Sequence, residues 1–177
     1  MTHNIRESFA AANYIIEKLN EEKIDDLTNL KLQKLLYFAY GVHLSLFNEK
    51  LFNDEIQAWK LGPVIPSVYN EFKDHGKNPI GANVRAVILK GDYSGEVDEI
   101  PEIDEWTNEN KAKSLFIACS AYGEKKAWDL VDILHNGEKS AWKKNYSETT
   151  RGIIIPDEDI KSEFEGCMDQ VATLLLG

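Results

Sequence analysis

Long apolar runs are absent from this sequence. No stretch approaches the roughly 18 residues that a membrane-spanning helix needs, and "MTHNIRESF" is not a basic region followed by an apolar one. No membrane partner is therefore expected, and nothing directs the chain out of the cytoplasm. Basic side chains are scarce too. The 20 lysines and arginines face 30 carboxylates, leaving a formal net charge of −10. Most of such a surface repels a phosphate backbone, so direct nucleic-acid binding is not expected. The same charge speeds encounter with a basic protein partner, although acidity also serves plain solubility. Only two cysteines occur, Cys119 and Cys167, far apart and each among the apolar residues of a predicted helix. Both read as reduced core residues, where a thiol behaves as a small hydrophobe.

The usual signatures of catalysis are missing as well. There is no glycine-rich phosphate loop, no paired-cysteine or paired-histidine zinc motif and no glycine-flanked nucleophilic serine. The expectation is a protein that is not an enzyme and takes no cofactor. What is present is 43% apolar and 28% charged residues, enough to build a buried core. The length of 177 residues fits one domain over 1–177.

Helical periodicity dominates the pattern. Ile5, Phe9, Ala12, Ile16 and Leu19 recur at spacings of three or four and mark one face of a first helix. Thr28 is placed to cap a second, which turns Leu32, Leu35, Leu36, Ala39, Val42 and Leu46 inward. Tyr37, Phe38 and Tyr40 widen that stripe almost all round, which predicts a centrally buried helix. Gly41 costs this helix about 1 kcal/mol relative to alanine, and permits a neighbouring segment to approach closely. Asn48 to Lys50 reads as a turn.

In "AWKLGPVIPSVYNEF" the regular pattern breaks. Ile56, Ala58 and Lys60 alternate with Gln57, Trp59 and Leu61 as in a short strand. Gly62 and Pro63 then turn the chain, and Pro66 suits the first turn of a helix with Val68, Tyr69 and Phe72 inward. Gly76 and Pro79 end it. "VRAVILK" suggests a strand or extended arm, followed by a flexible acidic connector over residues 91–104. Ala112, Leu115, Phe116, Cys119 and Tyr122 form the stripe of a further helix, and Leu130, Val131 and Leu134 that of a short one ending at Gly137. "EKSAWKKNYSETTRGIIIP" reads as irregular. A last helix from about Asp157 carries Ile160, Phe164, Cys167, Val171 and Leu174. The fold class is thus mainly α: a compact helical domain with a short strand or small β element and a proline-rich corner.

Few side chains invite chemistry. Asp129, Asp132 and His135 offer oxygen and nitrogen ligands near one helix, but successive steps of three swing them around the axis by about 60° each. A capped, partly buried histidine beside solvated aspartates is the competing account, and a metal-assisted hydrolase the remote functional alternative. His43 falls on the inward side of an apolar helix and reads as a hydrogen-bonded core residue, while His75 falls at a helix C-terminus. Ser67, after Pro66, could serve as a nucleophile but more simply as a helix cap. The aromatic residues Tyr37, Tyr40, Trp59, Tyr69, Phe72, Trp128 and Trp142 could build a recognition surface or pack the core.

Three stretches, in order, carry a family resemblance: "LTNLKLQKLLYFAYGVHLSLFNEKLF", "AWKLGPVIPSVYNEF" and "AWDLVDILHNGEKSAW". They resemble the successive signatures of the Panacea domain, the SocA-like antitoxin family also known as phage-associated protein. The likeness runs from about Ile5 to Tyr146. The family's Lys-Leu-Gln-Lys-Leu-Leu-Tyr-Phe core is matched by Lys31 to Phe38, its Trp-x-x-Gly-Pro-Val-x-Pro corner by Trp59 to Pro66. Val68, Tyr69 and Phe72 match the Val-Tyr and Phe that follow, and Leu130, His135 and Trp142 the last signature, with a slightly extended spacer before Trp142. The resemblance implies an antitoxin that neutralises a cognate toxin by protein–protein interaction. It implies no catalysis, and leaves the toxin's chemistry open. One branch of the family delivers its toxin to an energy-dependent protease, so a proteolytic adaptor partnered by a bacterial protease is an alternative. A phage-associated scaffold is another. With no spare length for a DNA-binding domain, autoregulation on DNA is not expected. Aromatics beside a rigid double-proline turn, which lowers the ordering cost of binding, suggest where such a toxin docks: the partner-binding candidates are Trp59, Pro63, Pro66, Tyr69, His135 and Trp142, with the toxin on the corner and the acidic surface steering a basic toxin site.

Overall fold

A computed structural model describes residues 5–166, 168 and 169. Its axis is the second helix. α1 (Arg6–Glu21) and α2 (Asn29–Phe47) follow the predicted apolar periods. The Thr28 hydroxyl caps α2, accepting from Lys31 N at 3.2 Å, and Asn48 ends it in the left-handed region at φ 54°. From Asn29 to Leu44 every residue of α2 except Leu30 is buried. Leu46, predicted to face inward, is 42% exposed because it lies in the last turn, beyond that buried span.

Around α2 pack α3 (Pro66–Phe72), α4 (Glu109–Tyr122), α5 (Ala127–Asn136) and α7 (Asp157–Glu165), together with α1. The contact with α4 is the most extensive, and that with α7 comes next. Gly41 makes the α7 contact possible: a Cβ there would sit 2.2 Å from Cδ2 of Phe164. On α4 the predicted stripe holds for Ala112, Leu115, Cys119 and Tyr122, but Phe116 is 46% exposed, with Lys18 Nζ 5.5 Å from its ring. Ile117 and Ala118 are buried instead, since α1 and α2 both cover α4 and centre its buried arc near Ala118. The Cys119 thiol is free and buried, and burial pushes its pKa up to about 12. Ile160 and Phe164 of α7 are buried as expected. The expectations for Cys167, Val171, Leu174 and the "VATLLLG" tail lie outside the described residues.

The β structure is small, and part of it was not legible. β1 (Gln57–Trp59) pairs antiparallel with β2 (Gly62–Val64) and with β5 (Ile153–Ile154), in the order β2-β1-β5. Trp59 stands opposite Gly62, so Lys60 and Leu61 form the turn of a hairpin rather than the end of one strand. Gly62 takes φ 107°, open to glycine and strained for other residues. Pro63 is tolerated in β2 because an edge strand needs no donor on its outer side. β3 (Ile88–Leu89) and β4 (Val97–Glu99) form a separate antiparallel pair. β4 lies within the segment expected to be a connector, and Asn13 Nδ2 donates to Pro101 O there at 2.9 Å.

The stretch expected to be irregular contains β5 and one further helix, α6 (Ala141–Asn145). Both are too short for a hydrophobic period to show. α6 is set instead by its cap: the Ser140 hydroxyl accepts from Lys143 N at 3.1 Å. No helix among the described residues is long and apolar enough to cross a membrane.

Candidate partner-docking site

The "KLQK" stretch of α2 places polar side chains inside the protein, where each has a specific task. Lys34 is fully buried and its ammonium donates to Pro63 O at 2.9 Å. Gln33 Oε1 accepts from Ile65 N at 2.9 Å, while its amide donates to Asn29 Oδ1 at 3.0 Å. Asn29 Nδ2 in turn donates to Tyr69 O at 3.0 Å. One helix therefore holds the backbone of the corner on both sides of Pro66. Burial lowers the Lys34 pKa to about 7, with no ion-pair partner among the described residues to oppose it.

A second set of contacts ties the corner to the α5–α6 region. Trp142 Nε1 donates to Trp59 O at 2.6 Å. The Trp142 ring stacks on His135 with centroids 3.7 Å apart and planes 4° apart, and on its other neighbour Tyr146 at 4.8 Å and 19°. Burial first, then the Lys34 charge, holds the His135 pKa below its ordinary value. In front of this stack, Trp59 meets Tyr69 edge to face at 4.9 Å and 65° and donates from Nε1 to Gln57 Oε1 at 2.9 Å. Trp59, Pro63, Tyr69, His135 and Trp142 thus form one connected assembly, and Pro66 starts α3 beside it.

Their exposures differ. Trp59, Pro66, Tyr69 and His135 are half-buried, whereas Pro63 and Trp142 are buried and support the surface from behind. Beside the corner runs a groove of about 650 Å³, lined by Trp59, Leu61, Tyr69 and Trp128 among others. Trp128 is 60% exposed. A second cleft of about 590 Å³ lies on the other flank of Trp59 and Lys60, against Tyr146 and Arg151. The groove does not share the chain's acidic character. Lys60, Lys73 and Lys77 line it, and its carboxylate, Asp26, is already paired with the buried Lys31. Acidic steering is therefore not what this face offers.

The remaining sequence candidates take structural places. His43 is buried, with Nδ1 2.9 Å from Ser114 Oγ, and burial lowers its pKa. His75 ends the 3-10 turn that follows α3. Ser67 does not cap α3: Ile65 occupies the cap position, and the Ser67 hydroxyl donates to Asp54 instead. Asp129 accepts from Lys126 N at the start of α5. Among the described residues no three histidine, cysteine, aspartate or glutamate side chains are gathered as a metal-ligand set.

The chain belongs to the SocA-like antitoxin family, Panacea domain, whose profile matches residues 32–143. It is 42% identical over 83 residues to Antitoxin SocA of Caulobacter vibrioides, a match covering 46% of this chain and 44% of that protein. The chain thus spans less than half the length of that relative. No solved structure matches.

Proposed function

We propose that this chain is an antitoxin that neutralises a cognate toxin by direct protein–protein binding and performs no chemistry of its own. Family membership carries the reading. The groove beside the corner adds to it: bulky half-exposed aromatics on a backbone clamped from behind keep the ordering cost of binding low. In this account Trp59 and Tyr69 touch the toxin, Pro63 and Pro66 fix the corner, and His135 and Trp142 brace it.

The test is growth rescue. The small reading frame adjacent to this gene is expressed from an inducible promoter, with and without this protein. Rescue with the two proteins co-purifying is the expected result. Continued killing in the presence of folded, abundant protein would sink the proposal. Rescue accompanied by protease-dependent loss of the toxin would instead make the chain an adaptor.

A further inference from the structure

The groove beside the corner combines two properties that seldom coincide on an acidic protein. Its apolar part is aromatic and open, with Leu61 37% and Trp128 60% exposed beside the half-buried Trp59 and Tyr69. Its charged part is cationic. Lys60, Lys73 and Lys77 are exposed, and none forms an ion pair among the described residues. Asp26, whose carboxylate could offset them, is paired with Lys31, whose side chain has no exposure at all. A chain of net charge −10 therefore presents a cationic aromatic groove.

We propose that this groove receives an acidic segment of a protein partner, anchored by a bulky apolar side chain packed against Trp59, Tyr69 and Trp128 and flanked by carboxylates that meet Lys60, Lys73 and Lys77. The inference deepens the antitoxin reading, on which it rests for the identity of the partner, by naming the chemistry of the bound segment. Charge complementarity selects that occupant. Unpaired lysines at the edge of an apolar surface gain from carboxylates, and discriminate against a basic segment by like-charge contact. Nucleic acid would satisfy the lysines but must approach a chain of net −10. A second copy of the chain carries that same charge and is repelled at long range.

The toxin need not be identified for the test. A displayed library of random 12-residue peptides is selected on the immobilised full chain, and the consensus is synthesised with a fluorescent label for anisotropy titration. The expected consensus is rich in Asp and Glu around a Trp, Phe or Leu. Its affinity should fall at least tenfold on the K60E/K73E/K77E variant and on Trp128→Ser, and fall as salt is raised. These side chains are exposed, so both variants should keep the wild-type circular dichroism and melting temperature. A basic or uncharged consensus, no recovery above background, or binding indifferent to the triple reversal would overturn the proposal. So would lysine-dependent binding of a 20-nucleotide single strand in place of peptide, or a dimer in sedimentation that dissolves in the triple variant. If acidic peptides bind through the lysines while the adjacent toxin is not rescued, the groove chemistry stands and the antitoxin reading fails. Rescue by the triple variant at full potency would leave the antitoxin reading intact and remove this one.

Discussion

The Lys34 ammonium lies 2.9 Å from the Pro63 carbonyl, fully buried, and that carbonyl is the acceptor it reaches. Its pKa is lowered from 10.5 to about 7 by burial. Between those values the unfolded chain still holds a proton that the folded chain has released, so stability rises with pH through this window, by at most about 1.4 kcal/mol per unit. Below pH 7 the group adds no further slope. Lys34→Met removes the buried charge but strands the carbonyl. The variant should be the less stable near pH 10, and the difference should move in its favour as pH falls to 7. Urea denaturation of both proteins across that range checks this, and parallel profiles would refute it.

Gln33 satisfies a backbone donor and a side-chain acceptor at once. Gln33→Ala leaves Ile65 N and Asn29 Oδ1 without these partners in a buried site, an expected loss of about 2 kcal/mol. Hydrogen exchange should speed first at Ile65 and Tyr69, before any change in α4. Uniform loosening of the whole chain would argue against a local clamp.

Tyr69 separates the two roles of the corner, because Asn29 grips its carbonyl and not its ring. Tyr69→Ala should keep the clamp and lose the edge-to-face contact with Trp59, costing about 1 kcal/mol of stability. Toxin neutralisation should nonetheless weaken by roughly tenfold, the effect of truncating an interface anchor. Thermal melting and a dose-response of rescue, measured together, distinguish the two effects.

Gly41 and Phe164 form a close-packed crossing. Gly41→Ala places a methyl group 2.2 Å from the Phe164 ring, which should cost about 1 to 3 kcal/mol. In the background of Phe164→Ala the same substitution should cost far less, a coupling that a double-mutant cycle by chemical denaturation reads directly.

The Cys119 thiol, held near pKa 12 by burial, should resist thiol reagents in the native protein. In a Cys167→Ser background, labelling at pH 8 should appear only on addition of denaturant. Rapid native labelling would show that α4 opens.

Elements with a long apolar period were legible in the sequence, because many residues vote for one face: α1, α2 and α4 emerged, α2 with its Thr28 cap. Phe116 misled because a period fixes the presence of a face but not how many neighbours cover it. The hairpin turn at Lys60–Leu61, β5 and α6 were hidden for a different reason. Each is two to five residues long and is held by tertiary hydrogen bonds, such as Ala141 N to Glu163 Oε2 at 3.2 Å. The candidate site was legible as a set of aromatics and prolines. Its lysine rim was not, since Lys60, Lys73 and Lys77 are separated in sequence and their neighbours are acidic or neutral. Nor was the inward direction of Gln33 and Lys34, which a helix pattern assigns to the polar side.

The hairpin turn hangs from a frame gripped entirely behind it. Lys34 and Gln33 reach the backbone at Pro63 and Ile65, Trp142 reaches it at Trp59, and Lys60 and Leu61 project into solvent between these anchors. The two outermost side chains are thereby decoupled from the fold. Substitution at either position therefore alters what the turn presents to solvent and leaves the hydrogen bonds of the frame untouched.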